Sequence, residues 1–504
     1  MKLKINRRRF FEILGAALVP IAFSHRLKAK TSKIQEANPK IYYVALTGND
    51  ANPGSQEKPW ATITKAAQTL KAGETVYIRG GNYSLYKPIV PKNSGSENQW
   101  ITYAAYPQEE VIINAEKIYV GPPVGKPPFP HDEGAFQVED KSYIRLKNLR
   151  LINSYNSGFR IKNSHHIELY NNTTQKTFAP GIFVYRSQDI KVMGNTVIKA
   201  NTNEMRLYGD FKKEAPHEGI SIASGQNFEV AYNHLFNCDK EAIDCKESSA
   251  QGIVHHNYVH NCPRQGIYID AWGTVLEKIE VYENVIHDCE TGIAISAEGG
   301  LLVDQIRIHH NLIYNNRGTG IFFSRWGKDN LRKNIFIYNN TVYHNGYGRG
   351  NCQEPYWLTG GLYLYTTNLE NIVIQNNIFS ENKYFQIGYS GNYKPEDFER
   401  KNLKIEYNLI HNSEPVTYPV YLKEWAKDYV FATQGKNALE ADPLFVNARI
   451  GNLYLKSSSP AIKAGHPENS LPPKDIDQDL GALPANKAES FWWRQNFPPK
   501  FDNS

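Results

Sequence analysis

Short apolar stretches headed by an Asn recur along the chain, as in Asn233-His-Leu-Phe, Asn257-Tyr-Val-His, Asn284-Val-Ile-His, Asn311-Leu-Ile-Tyr and Asn340-Thr-Val-Tyr. The series extends to Asn148, Asn172, Asn195, Asn233, Asn257, Asn284, Asn311, Asn340, Asn377 and Asn408, with steps of 23 to 31 residues and two longer ones of 38 and 37. Such steps are too short for helix pairs or propeller blades. They suit one three-sided coil of a parallel β-solenoid, in which stacked Asn amides hydrogen-bond from turn to turn.

A second strand follows each Asn at nearly fixed distance: Gly158-Phe, Gly181-Ile, Ala242-Ile, Gly266-Ile, Gly292-Ile and Gly320-Ile. After Asn195 it waits until Gly219, and after Asn340 until Gly361, so both coils carry an insertion at the same corner. Long loops in a compact body are commonly functional, and two at one corner suggest the walls of a cleft. Thr62 to Leu70 places Ile63, Ala66, Ala67 and Leu70 on one helical face, a short helix suited to closing the open end of a solenoid. The expected fold is an all-β, single-stranded right-handed parallel β-helix with a short N-terminal capping helix. Residues 40–130 form the cap and first coils, 134–465 the β-helix and 466–504 a C-terminal tail.

Charge changes the picture at the N-terminus. The first thirty residues hold eight Lys and Arg against Glu12, a net of +7 against +6 for the whole chain. The remainder is close to neutral and lacks the basic excess that binding to nucleic-acid phosphates needs. Asn6-Arg7-Arg8-Arg9-Phe10-Phe11 followed by the apolar run Ile13 to Phe23 reads as an export signal over residues 1–30, similar to a twin-arginine leader. The run is too short to span a bilayer. The protein is therefore expected in the periplasm or outside the cell, as a monomer without a stable membrane span.

Of the five cysteines, Cys238, Cys262 and Cys289 each lie five residues after their ladder Asn, which predicts one packed interior column, with Cys245 inward beside Ile243. His260 and His287 fall where neighbouring coils hold Phe236, Tyr314 and Tyr343, and His255-His256 and His309-His310 recur just before a ladder Asn. Both sets fit stacked rows better than a catalytic site.

Other segments bring in a resemblance. Tyr42-Tyr43-Val44 with Gly48-Asn-Asp-Ala-Asn-Pro-Gly54, Pro59-Trp-Ala-Thr-Ile63 and Gly73-Glu-Thr-Val-Tyr-Ile-Arg-Gly-Gly-Asn-Tyr83 resemble the opening of secreted β-helix proteins of the pectate lyase superfamily. Ala441-Asp-Pro-Leu-Phe-Val446, Ser459-Pro-Ala-Ile462, Asp475-Ile-Asp477 and Leu480-Gly-Ala482 resemble their close. The resemblance implies carbohydrate chemistry, but the superfamily includes lyases, hydrolases and epimerases, so the reaction stays open.

Alternation locates a candidate site. If Ile243, Cys245, Ile267, Ile269, Ile293 and Ile295 fill the core, then Asp244, Lys246, Tyr268, Asp270, Ala294 and Ser296 face outward on an exposed strand surface. That face gathers Lys246, Asp270, Asp244 and Arg264 as catalytic candidates. His217, Glu218, Tyr268, Trp272, Glu298, Arg325 and Trp326 are candidates for binding substrate, with Trp272 and Trp326 in one column as a sugar platform. Glu241, Asp244 and Asp270 could together hold Ca²⁺. Elimination from a uronate requires a base, for which Lys246 serves, and a cation near the carboxylate. Hydrolysis requires two carboxyl groups. The cations among the acids favour a lyase acting on an acidic or neutral polysaccharide; an inverting hydrolase and a non-catalytic glycan-binding protein are the alternatives.

Overall fold

The computed structural model describes residues 40–119, 133–206, 216–347, 359–399, 402–414, 420–421, 429–467 and 478–483. The segment read as an export leader, most of the C-terminal tail and much of both corner insertions lie outside them.

The chain winds as a right-handed parallel β-solenoid through three sheets of 13, 13 and 12 strands. One coil runs Gln226–Ala231 in the first sheet, His234–Phe236 in the second and Ile243–Lys246 in the third. The next coil lies on it in parallel register, with Ile243 against Ile267 and Cys245 against Ile269. The interior is a continuous column dominated by Ile, Val and Leu. The expected helix forms over Ile63–Thr69: the Thr62 side chain caps it by accepting from the Lys65 N–H, and Ile63, Ala66 and Ala67 are buried.

The Asn ladder begins one coil later than the spacing predicts. Asn148 aligns with Asn171, not Asn172, because Arg150 pairs with Thr173. It is exposed, in the left-handed corner conformation (φ 58°) also adopted by Asn171, His256, Glu283 and His310, and Leu149 takes the interior place. From Asn172 onward each buried amide donates to the carbonyl oxygen of the next, at 2.9 to 3.1 Å from Asn172 through Asn408. Each Asn Oδ1 also accepts the backbone N–H of the Asn before it. The ladder thus satisfies corner groups that sheet pairing leaves free.

Cys238, Cys262 and Cys289 form the expected buried column, and Cys245 is also buried. A second amide ladder, which the spacing did not reveal, continues that column through Asn316, Asn345 and Asn382: Cys289 N donates to Asn316 Oδ1, and the amides follow at 2.9 and 2.8 Å. The histidines stack as expected. Phe236, His260, His287 and Tyr314 make one row, and His255, Tyr282, His309 and Tyr338 another, with ring centroids 4.7 to 5.3 Å apart.

The parallel coils end before residue 465. In the third sheet the strand Ile387–Ser390 is covered by Tyr429–Thr433 running antiparallel, and Phe445–Asn447 pairs antiparallel with Asn452–Leu455. The described part of the tail is packed: Leu480 and Ala482 join Phe445, Leu453 and Leu455 against Val285, Leu312 and Ile378 on the outer surface of the second sheet. No helix among the described residues is long and apolar enough to cross a membrane.

Candidate active site

The third sheet carries the site. Its strands Ile220–Ala223, Ile243–Lys246, Gln265–Asp270 and Thr291–Ser296 align so that Ser221, Asp244, Tyr268 and Ala294 form one outward column. Ala223, Lys246, Asp270 and Ser296 form the next. Lys246 and Asp270 are direct neighbours, as the alternation predicts, and Asp244 is diagonal to Asp270.

The face is outward from the core but not solvated, which corrects the expectation of an exposed strand surface. Asp244 is 2% exposed, Asp270 and Tyr268 4%, Glu218 5% and Glu241 6%. Ionisable groups buried this closely must answer one another. Lys246 Nζ donates to both carboxylate oxygens of Glu218 at 2.7 and 2.8 Å and lies 3.8 Å from Asp244 Oδ2. Ser221 Oγ donates to Glu218 Oε2 at 2.8 Å. Arg264 Nη1 meets Glu241 Oε1 at 3.0 Å, and Lys240 Nζ lies 3.9 Å from Glu218 and 4.0 Å from Glu241. Lys240 was not among the candidates expected from the sequence; it lies beside Glu241, ahead of the strand Ile243–Lys246.

The charges sort into two groups. Burial works to strip the Lys246 proton, but Glu218 and then Asp244 outweigh it and hold the ammonium above its ordinary range. Burial raises the Glu218 carboxyl, yet Lys246 and Lys240 overcome that and keep it well below the usual carboxylate range. Asp244 and Asp270 move the other way. Burial, then the charge of Glu218, lifts Asp244 well above its usual value. Burial, then Glu298, pushes Asp270 up to about 8. Asp244 Oδ1 and Asp270 Oδ1 are buried with no hydrogen-bond partner among the described residues. A Glu218–Lys246 ion pair therefore stands beside two carboxyl groups, Asp244 and Asp270, that burial and neighbouring negative charge hold above the usual carboxylate range.

The remaining candidates divide. Tyr268 belongs to the cluster and donates from its OH to Glu298 Oε2 at 3.0 Å. His217 adjoins Glu218 in sequence, and its ring stacks on Phe183 at 4.4 Å. Arg325 is drawn away: its guanidinium meets the Tyr393 OH at 2.8 Å and lies over Tyr365. The two tryptophans do not make a shared platform. Trp326 packs edge-on against Tyr268 and Phe322, whereas Trp272 is 55% exposed and borders a different groove. The sheet ends at Asp270 and Ser296, so alternation no longer governs residues two places further on.

The calcium expected at Glu241, Asp244 and Asp270 finds no ready cage. No three His, Cys, Asp or Glu side chains among the described residues converge to hold a metal ion. Glu241 is engaged by Arg264, and Lys246 already supplies the positive charge beside Asp244. These residues do not fit a resident cation.

Residues 42–206 match the Pel9A-like right-handed beta-helix family, and residues 134–305, 253–353 and 278–431 match the right-handed beta-helix region family, which together spans more than half of the chain. The chain belongs to the right-handed β-helix family. A 112-residue stretch, 22% of this β-helix protein, is 32% identical to the uncharacterized protein YwoF of Bacillus subtilis and covers 23% of it. A stretch of the same length is 31% identical to pectate lyase PEL9 of Emericella nidulans and covers 27% of it. The β-helix protein thus matches about a quarter of the length of these relatives. Among solved structures, pectate lyase Pel9A aligns over 89% of this chain and 97% of its own, with a TM-score of 0.50 and 14% identity, a likeness of fold. The Pel9A-like match ends at residue 206, before the buried cluster begins at Glu218.

Proposed function

We propose that this protein is an exported enzyme that cleaves a polysaccharide at the third-sheet face, and that Asp244 and Asp270 act there as an acid and base pair. One observation carries the reading: two buried carboxyl groups on adjacent coils, each with an oxygen unpartnered among the described residues and each held above the usual carboxylate range. Two such groups lose their protons in two steps that belong to the pair. Between those steps one is ionised and can take a proton from water, while the other can give a proton to the departing glycosidic oxygen. Coil spacing and strand rise put them roughly 8 Å apart, within the range of about 6.5–9.5 Å that leaves room for a water and gives inversion at the anomeric carbon. The leader Arg7-Arg8-Arg9 supports export.

A second reading is elimination from a uronate with Lys246 as base, favoured by the similarity to pectate lyase PEL9. It demands that Lys246 surrender the proton held by Glu218, and Ca²⁺ between Asp244 and Asp270 would have to supplant that ammonium. The test is incubation with a panel of neutral polysaccharides and polygalacturonate, with and without chelator. Hydrolysis yields new reducing ends without ultraviolet-absorbing unsaturated sugars and is indifferent to chelator. Chelator-sensitive unsaturated products would establish elimination instead.

A further inference from the structure

A groove of about 590 Å³ runs along the corner where each coil turns from the third sheet to the first. It is lined by Arg186, Ser224, Gln226, Glu247, Ser248 and Trp272, side chains from four successive coils. Its location is fixed by the same register that builds the buried cluster: Ser224 follows Ala223, Glu247 follows Lys246, and Trp272 lies two residues past Asp270. The groove thus lies one to two residues along the chain from Lys246 and Asp270.

Its chemistry is that of a sugar site. Trp272, 55% exposed, presents an indole to solvent where the neighbouring large aromatics are packed away. An exposed indole face suits the C–H face of a pyranose ring. Apart from Arg186 and Glu247, the rest of the wall is mostly hydroxyl and amide, held in place by local bonds: Ser224 Oγ donates to Glu247 Oε2 at 2.7 Å, and Gln226 Nε2 donates to the Ser248 carbonyl at 2.6 Å. Arg186 and Glu247 balance, so the groove carries no net charge to attract or repel an ionic chain. The three spacings of about 4.8 Å between four coils give a length of roughly 14 Å, close to three sugar units.

We infer that this corner groove binds a run of neutral pyranose units of the polysaccharide, lying along the solenoid axis and leading the chain to the Asp244–Asp270 pair. The assignment rests on the proposed function for the identity of the ligand as glycan. Trp272 takes the stacking role, Gln226 and Ser224 the hydroxyl contacts, and Trp326 none.

Calorimetric titration of the full chain carrying Asp270→Asn, which prevents turnover, with cellohexaose, xylohexaose, mannohexaose and hexagalacturonate tests this. At least one neutral hexasaccharide should bind, and adding Trp272→Ala should weaken that binding by roughly 10-fold or more, since loss of one stacked ring is worth about that factor. Adding Trp326→Ala in its place should leave the affinity within about 2-fold, a change too small for the loss of a stacked ring. Binding of hexagalacturonate alone, no binding by any probe, or equal affinity with and without Trp272 would each overturn the assignment. The proposed function fails separately: if the parent yields no cleavage product yet Trp272-dependent binding persists, the groove stands and the catalytic reading falls.

Discussion

Exchanging one nitrogen for oxygen in the amide ladder should separate a structural Asn from one that only shares its sequence pattern. Asn284 lies in the ladder interior, and its Nδ2 donates to the Val254 and Tyr282 carbonyls at 3.0 Å and to Asn311 Oδ1 at 2.9 Å. Asn284→Asp keeps the shape and the acceptor side, which takes the Asn257 N–H and amide, but replaces the donor with an oxygen facing three acceptors. Two buried carbonyls losing a donor cost about 1–3 kcal/mol each, so the variant should lose about 2–6 kcal/mol before charge repulsion is counted. Asn148→Asp makes the same exchange at an exposed left-handed corner that Asp tolerates, and should stay within about 0.5 kcal/mol. Urea unfolding of parent and variants, followed by circular dichroism, reads both. The Asn284→Asp deficit should also shrink on acidification, because protonation restores one donor. An Asn284→Asp protein within about 1 kcal/mol of the parent, or an Asn148→Asp protein as unstable as it, would refute the ladder's energetic role.

Further outcomes follow from the buried cluster. Lys246→Met leaves Glu218 buried without its partner and should cost about 3–5 kcal/mol, and adding Glu218→Gln should recover much of it, measured by the same unfolding. Asp270 keeps its proton up to about pH 8 when folded but loses it near pH 4 when unfolded. The folded state thus binds more protons over that window, and stability should fall as pH rises through it; thermal melts of Asp270→Asn should show a weaker fall. Cys238, Cys245, Cys262 and Cys289 are buried, so in a Cys352→Ser protein a thiol reagent should label nothing until denaturant is added.

Much of this was legible because a solenoid repeats its environment: a residue type recurring at one offset, such as Cys238, Cys262 and Cys289, reports a column without any knowledge of the fold. The same logic placed Lys246 beside Asp270. It failed where the offset was ambiguous by one, at Asn148, since an Asn serves equally well in the left-handed corner and in the ladder. It failed again beyond the strand ends, where Trp272 and Trp326 share a count but not a direction. Burial of the charged face was not legible either, because alternation tells inward from outward and says nothing of whether an outward group meets water or the clamp of Glu218 on Lys246.

The most direct measurement of the catalytic reading is the turnover of Asp244→Asn and Asp270→Asn on a polysaccharide that the parent cleaves, read as new reducing ends. Each variant should fold as the parent does and lose a factor of roughly 10² to 10⁴ in turnover, the contribution of a positioned acid or base. Full activity in both variants would place the chemistry elsewhere on the molecule.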